Sequence, residues 1–221
     1  MKKWRCDVIK QCCEGYSFIW KSDKLKAIWY EIPRCGSTAM KTMFRETPEY
    51  EFKLLDNVDA DSVYDQYPDY FKFTIGRNPW DRVVSNYNLY RNMDYRVPQT
   101  IELFKLDSIE DFTFEFFLEG FQKNVNHHWE QCYKYLPTKD IDYYGRLDII
   151  DDNWLDIKNK LGITDDRKIP NPKNRGYFGF NSGHGDYTKF YNDETIQLIS
   201  DIYSKDIELF DFEFNEQKRV L

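Results

Sequence analysis

The sequence lacks ordered cysteine spacing, is poor in histidine and has no long apolar run. Each shortage removes a class of function. The five cysteines, Cys6, Cys12, Cys13, Cys35 and Cys132, form no C-x-x-C pair, so neither a zinc site nor a disulfide framework has the spacing it needs. They read as reduced thiols of a cytosol-like compartment, and no metal is expected. No stretch approaches the ~18 uncharged apolar residues of a membrane span. Met1 to Lys10 carries Lys2, Lys3 and Arg5 with no apolar core behind them, which argues against a signal peptide. The expectation is a soluble, cytoplasmic protein. Positive charge is also in deficit. The net charge of −7 argues against a general nucleic-acid binder, which needs a basic face, yet leaves room for a small basic pocket for a phosphorylated nucleotide. Charge blocks, internal repeats and low-complexity segments are missing as well.

What remains is an ordinary globular composition, 41% hydrophobic and 31% charged over 221 residues. That length suits one domain, residues 1–221, and is too short for two. The 17 tyrosines and 17 phenylalanines read mainly as core and half-buried surface.

The first half alternates strand and helix signals. Residues 25–33 are rich in β-branched and aromatic types and end at Pro33, as a strand does. After the turn Arg34-Cys35-Gly36-Ser37, residues 38–47 read as a helix with Met40, Met43 and Phe44 on one face and Ser37 placed to cap it. Residues 50–55 are a weaker strand, followed by an acidic loop with Asp56, Asp59 and Asp61. Residues 70–76 are a stronger strand, and Pro79 suits the first turn of a helix running to about Asn92. Further on, helices are expected over 108–119, 124–135, 152–161 and 193–209. A short strand is expected over 141–147 and a long loop over 164–190. Gly162 stops the third of these helices. Two strand–turn–helix units predict a parallel sheet with crossover helices. Ligands of such sheets bind beyond the carboxyl ends of the strands, where both turns would lie.

The two turns carry the chemistry. A turn opening a helix offers free N–H groups and the positive end of the helix dipole. Gly36 permits close approach of an anion, Ser37 and Thr38 add hydroxyls, and Arg34 adds a fixed charge. Phosphate or sulfate is the natural guest. The turn is not G-x-x-x-x-G-K-[ST], because no first glycine or lysine is present. An ordinary capped turn is the alternative. In the second turn Arg77 ends a strand and Ser85 lies eight positions on. Two helical turns bring the hydroxyl back beside the guanidinium, a pair suited to a second phosphate. The plainer alternative is an Arg77–Asp81 pair with Ser85 as a small helix residue.

Together the turns resemble a known family. Ile32-Pro33-Arg34-Cys35-Gly36-Ser37-Thr38 resembles the 5′-phosphosulfate loop, I-P-K-T-G-S-T, of carbohydrate sulfotransferases (the Golgi-type family 2, chondroitin-, heparan- and HNK-1-like). Phe73 to Tyr87, with Arg77-Asn78-Pro79 and Arg82-Val83-Val84-Ser85, resembles their 3′-phosphate motif, F-V-R-D-P-x-E-R-L-V-S-x-Y. His128-Trp129 with Gln131 and Cys132 looks like the H-W-x-x-Q segment, and Tyr144-Gly145-Arg146-Leu147 looks like a G-[KR]-x-E strand end with Asp148 one place late. His184-x-Asp186-Tyr187 and Tyr203 to Phe210 look like the closing loop and helix. The resemblance covers about residues 25–214.

The resemblance implies an α/β, P-loop NTPase-like three-layer fold with a central parallel sheet flanked by helices. It also implies sulfuryl transfer from 3′-phosphoadenosine 5′-phosphosulfate (PAPS) to a hydroxyl of a carbohydrate acceptor, without metal. Arg34 would face the bridging oxygen and the sulfate. Cys35, Gly36, Ser37 and Thr38 would line the 5′-phosphate, and Arg77 with Ser85 the 3′-phosphate. The family's lysine is replaced by Arg34, which does not give up a proton at neutral pH, and Cys35 replaces a hydroxyl residue. A general base is also needed. Asp56 is the positional match after the second strand, and His127 and His128 are the chemical alternatives. His184 reads as loop support. Two rivals stand beside this reading: a P-loop kinase acting on ATP, for which lysine and a magnesium carboxylate are missing, and a non-catalytic nucleotide-binding module.

Overall fold

The computed structural model describes residues 18–55, 58–94, 96–121, 128–170 and 185–215. Five strands form one sheet in the order β3-β1-β2-β4-β5. They are β1 (Ile19–Ser22), β2 (Ala27–Tyr30), β3 (Lys53–Leu55), β4 (Phe71–Gly76) and β5 (Tyr143–Arg146). β2, β4 and β5 run parallel, while β1 pairs antiparallel with both β2 and β3. The expected parallel centre is present, and β1 is an addition. It closes a short hairpin onto β2 through residues 23–26, where Ser22 Oγ accepts from the Leu25 N–H.

Alternation along the central strands sends side chains to two different layers. Trp29, Phe73 and Ile75 pack with α1 (Ser37–Glu46) and α6 (Ile150–Leu161) through Met40, Met43, Phe44, Trp154 and Ile157. Ile28 and Tyr30 face the opposite side, against Val63 of α2 (Ala60–Gln66) and Ile141. Beyond that face lies the largest apolar cluster. It is built around α3 (Pro79–Asn92), with α4 (Val97–Phe104), α5 (Phe114–Phe121), α7 (Asp193–Ile202) and α8 (Ser204–Phe210). α3 is buried from Pro79 to Tyr90, so both its polar and its apolar positions face protein.

Several expected elements are corrected by tertiary context. The acidic loop contains α2, because Asp59 caps it by accepting from the Ser62 N–H. α4 was not anticipated; it starts at Val97-Pro98, where proline suits the first turn. The helix expected over 108–119 is a capped 3₁₀ turn (Ile109–Asp111) followed by α5. Of the helix expected over 124–135, the described part is a 3₁₀ turn, Cys132–Tyr135. The helix expected over 193–209 divides at Tyr203, whose hydroxyl donates to the Trp129 carbonyl. Most of the loop expected over 164–190 lies outside the described residues.

Candidate functional site

β2 and β4 are parallel neighbours, so the chain leaves both at the same edge and the two turns meet there. Arg34 has a left-handed backbone (φ 67°) and so does Gly36 (φ 86°). For Arg34 this conformation costs on the order of 1–3 kcal/mol and persists only when its surroundings over-determine it. Gly36 tolerates it freely, and a Cβ there would lie 2.7 Å from Leu147 Cδ1. α1 then starts at Ser37 with no side chain capping it. Ser37 is therefore not the cap the sequence suggested. It is the first helical residue, and its hydroxyl donates back to the Ile32 carbonyl at 3.0 Å. Thr38, in the first turn of α1, is exposed.

The second turn is fixed by Asn78, whose side chain accepts from the N–H groups of Trp80 and Asp81 and donates to the Glu213 carbonyl at 2.9 Å. α3 then carries Ser85 back toward the sheet edge. Ser85 Oγ accepts from Arg77 Nη1 at 2.9 Å and from Arg34 Nη2 at 2.8 Å. Arg77 Nε also donates to Asp81 Oδ2 at 2.6 Å. Both expectations for Arg77 hold together: it pairs with Asp81 and it meets Ser85. Arg34 Nε is buried with no hydrogen-bond partner.

A third guanidinium stands behind the loop. Arg82 is fully buried and donates to the Pro33 carbonyl at 3.2 Å and the Glu130 carbonyl at 2.6 Å. Burial together with the charges of Arg77 and Arg82 pushes the Arg34 guanidinium down to about 10. It stays cationic at neutral pH. In a chain of net charge −7, three guanidiniums gathered at one sheet edge concentrate positive charge there. An orphaned buried donor, an uncapped helix start and a glycine turn add the geometry that a phosphate-bearing group requires.

The other expected site residues divide as follows. Cys35 turns its thiol into the core, 4.0 Å from Cys132 Sγ, and its N–H donates to the Ile32 carbonyl. His128 is half-buried. Its Nδ1 lies 3.2 Å from Tyr90 Oη, its carbonyl accepts from Asn86 Nδ2, and Tyr90 bears electrostatically on Arg34. Asp56, His127 and His184 lie outside the described residues. Asp61 accepts from the N–H and hydroxyl of Thr138, so with Asp59 it serves the fold.

Sequence reasoning placed Tyr90 in the apolar stripe of its helix and Arg82 and Asp206 inside motifs, without making any of the three a site residue. Arg82 follows Arg77 within the second motif, and a cation among apolar helix positions was its signal. Asp206 is buried and accepts from the N–H groups of Cys132 and Tyr133 at 2.7 and 2.9 Å, tying the His128–Cys132 segment to α8. Burial pushes its carboxyl above the ordinary value despite those bonds. Among the described residues there is no cluster of side chains suited to a metal and no helix long and apolar enough to cross a membrane.

The model of a sulfotransferase family, family 2, which includes the Golgi carbohydrate sulfotransferases, matches residues 28–213. No curated protein and no solved structure matches.

Proposed function

Because this chain belongs to the sulfotransferase family, we propose that it transfers the sulfuryl group of PAPS to a hydroxyl of a carbohydrate acceptor. The observation that carries this reading is the convergence of Arg34 and Arg77 on Ser85 Oγ beside the uncapped start of α1. Two anion positions then adjoin one another, as a nucleotide phosphorylated at both 3′ and 5′ positions requires. The N–H groups that open α1, with the Ser37 and Thr38 hydroxyls, hold the 5′-phosphate. Arg77 and Ser85 hold the 3′-phosphate, the group that separates this donor from ATP. Arg34 lies between them and neutralises charge developing on the leaving oxygen. PAPS supplies an activated sulfuryl group, and the protein's contribution is alignment and charge.

His128 is the candidate base, oriented through Nδ1 by Tyr90, with Nε2 as the nitrogen to accept the acceptor's proton. Asp56 and His127 stay as alternatives for that role.

Calorimetry with 3′-phosphoadenosine 5′-phosphate (PAP) tests the donor site, with Arg77→Ala beside the wild type. Losing one charge-assisted phosphate contact costs on the order of 1.5–3 kcal/mol, which is about 10- to 100-fold in affinity. Wild-type protein that ignores PAP and binds ATP with magnesium would refute the reading in favour of a kinase.

A further inference from the structure

The thiols of Cys35 and Cys132 have no part in the transfer chemistry above, yet they meet beneath the donor loop. Cys35 sits between the two left-handed residues of that loop, Arg34 and Gly36. Cys132 opens the 3₁₀ turn Cys132–Tyr135, 97 residues away in sequence. Both are free and buried, and their sulfurs are 4.0 Å apart. Arg82 Nη1 approaches Cys132 Sγ at 3.5 Å, and the same guanidinium holds the loop through the Pro33 carbonyl. Closing to a disulfide sulfur–sulfur distance of about 2.05 Å requires each sulfur to move by about 1 Å.

We propose that Cys35 and Cys132 are a latent disulfide site for a peroxide-class oxidant, and that the cross-link weakens nucleotide binding at the donor loop. The second half rests on the reading of the loop as a nucleotide site. In the first step the Cys35 thiolate attacks one oxygen of hydrogen peroxide. The O–O bond breaks, a sulfenic acid forms at Cys35, and the departing hydroxide takes the thiol proton to become water. In the second step Cys132 sulfur attacks the sulfenic sulfur. The S–S bond forms, the S–O bond breaks, and a second water leaves with the Cys132 proton. Two thiols lose two hydrogens and one peroxide becomes two waters. A thiol reductant reverses the cross-link by exchange.

The surroundings favour this division of labour. Burial pushes the Cys35 thiol up, but the hydrogen bond from Cys132 and the charges of Arg82 and Arg77 more than offset it. Cys35 is left below the ordinary thiol range. Cys132, hydrogen-bonded to Cys35 and buried, is held well above it. The nucleophile and the resolving thiol are thereby distinguished. The consequence for the loop follows from its tether. Drawing Cys35 toward Cys132 moves the residue between Arg34 and Gly36 and removes a thiol acceptor from Arg82.

The test uses the full chain with Cys6, Cys12 and Cys13 replaced by serine, treated with a small excess of hydrogen peroxide. Digestion and mass spectrometry should recover a Cys35–Cys132 cross-linked peptide, lighter by two hydrogens and lost on reduction. The PAP affinity of the oxidised protein should fall at least tenfold and return with dithiothreitol. Adding Cys132→Ser should abolish the reversible change. Absence of the cross-linked peptide, with both thiols open to alkylation after unfolding, overturns the proposal. A cross-link that leaves PAP affinity within twofold overturns its second half. Failure of the reduced protein to bind PAP refutes the donor-site reading instead, while peptide mapping still decides whether the disulfide forms.

Discussion

Replacing Arg34 by lysine, the residue the related loops carry, should introduce a pH dependence that the wild type lacks. Burial and two neighbouring guanidiniums push Arg34 down to about 10. The same surroundings acting on a lysine ammonium, ordinarily about 10.4, would push its value down in the same direction and from a lower start. The sign follows from the charge. Below that value the lysine is cationic and assists the phosphates; above it the charge is lost in the free protein. Bound nucleotide raises the ammonium's pKa again, so between the free and bound values each pH unit weakens binding by about tenfold. The second ionisation of a phosphate ester, near pH 6, is complete by pH 7 and contributes little beyond it. Titration of Arg34→Lys with PAP at pH 7, 8 and 9 should show affinity falling as pH rises, by up to about tenfold per unit. The wild type should change less than threefold over the same range. Parallel profiles for the two proteins would refute the argument, because the lysine would then not feel Arg77 and Arg82.

Gly76→Ala places a Cβ 2.5–2.7 Å from three ring atoms of Phe210. It should lower stability in urea by about 1–3 kcal/mol. Asp206→Asn turns an amide N–H toward the Cys132 or Tyr133 N–H and should cost about 1–3 kcal/mol. Asp206's folded pKa is raised by burial, so its proton-linked contribution is full below the unfolded pKa and disappears as pH rises through the folded one. The stability gap between wild type and Asp206→Asn should therefore narrow on going from pH 4 upward through that pKa. His128→Ala should reduce kcat by about 10²-fold or more with PAP affinity unchanged. Loss of PAP binding would instead make His128 a structural residue.

The elements that position the site were the most legible in sequence. α3 begins at Pro79 and ends at Asn92 as its signals indicate, because proline at the first turn and the Asn78 cap are local devices. β4 and the Gly162 stop of α6 are equally local. β1 went unread because its four residues, Ile-Trp-Lys-Ser, have too little pattern until β2 and β3 pair with both sides. The break at Tyr203 depends on Trp129, far away in sequence. In the site itself, motif spacing brought Arg34, Arg77 and Ser85 together. The inward turn of Cys35 and the buried Arg82 depend on packing across segments 50 and 97 residues apart, which spacing does not encode.

That inward turn bears on how the loop departs from its relatives. A cysteine in place of a hydroxyl residue looks, in sequence, like a phosphate donor lost. In the fold the Cys35 side chain points at Cys132 and its N–H is held by Ile32, so no ligand-facing donor is given up. Arg34 in place of lysine changes more. Its guanidinium reaches Ser85 with one nitrogen while Nε stays buried and unpartnered, leaving a desolvated donor that an anion would satisfy. Arg77 and Arg82 beside it add like-charge repulsion. An anion held as proposed would relieve both. On the proposed reading, the two substitutions therefore act in opposite directions. The cysteine moves a side chain from the ligand to the core, and the arginine adds to the charge that the ligand must meet.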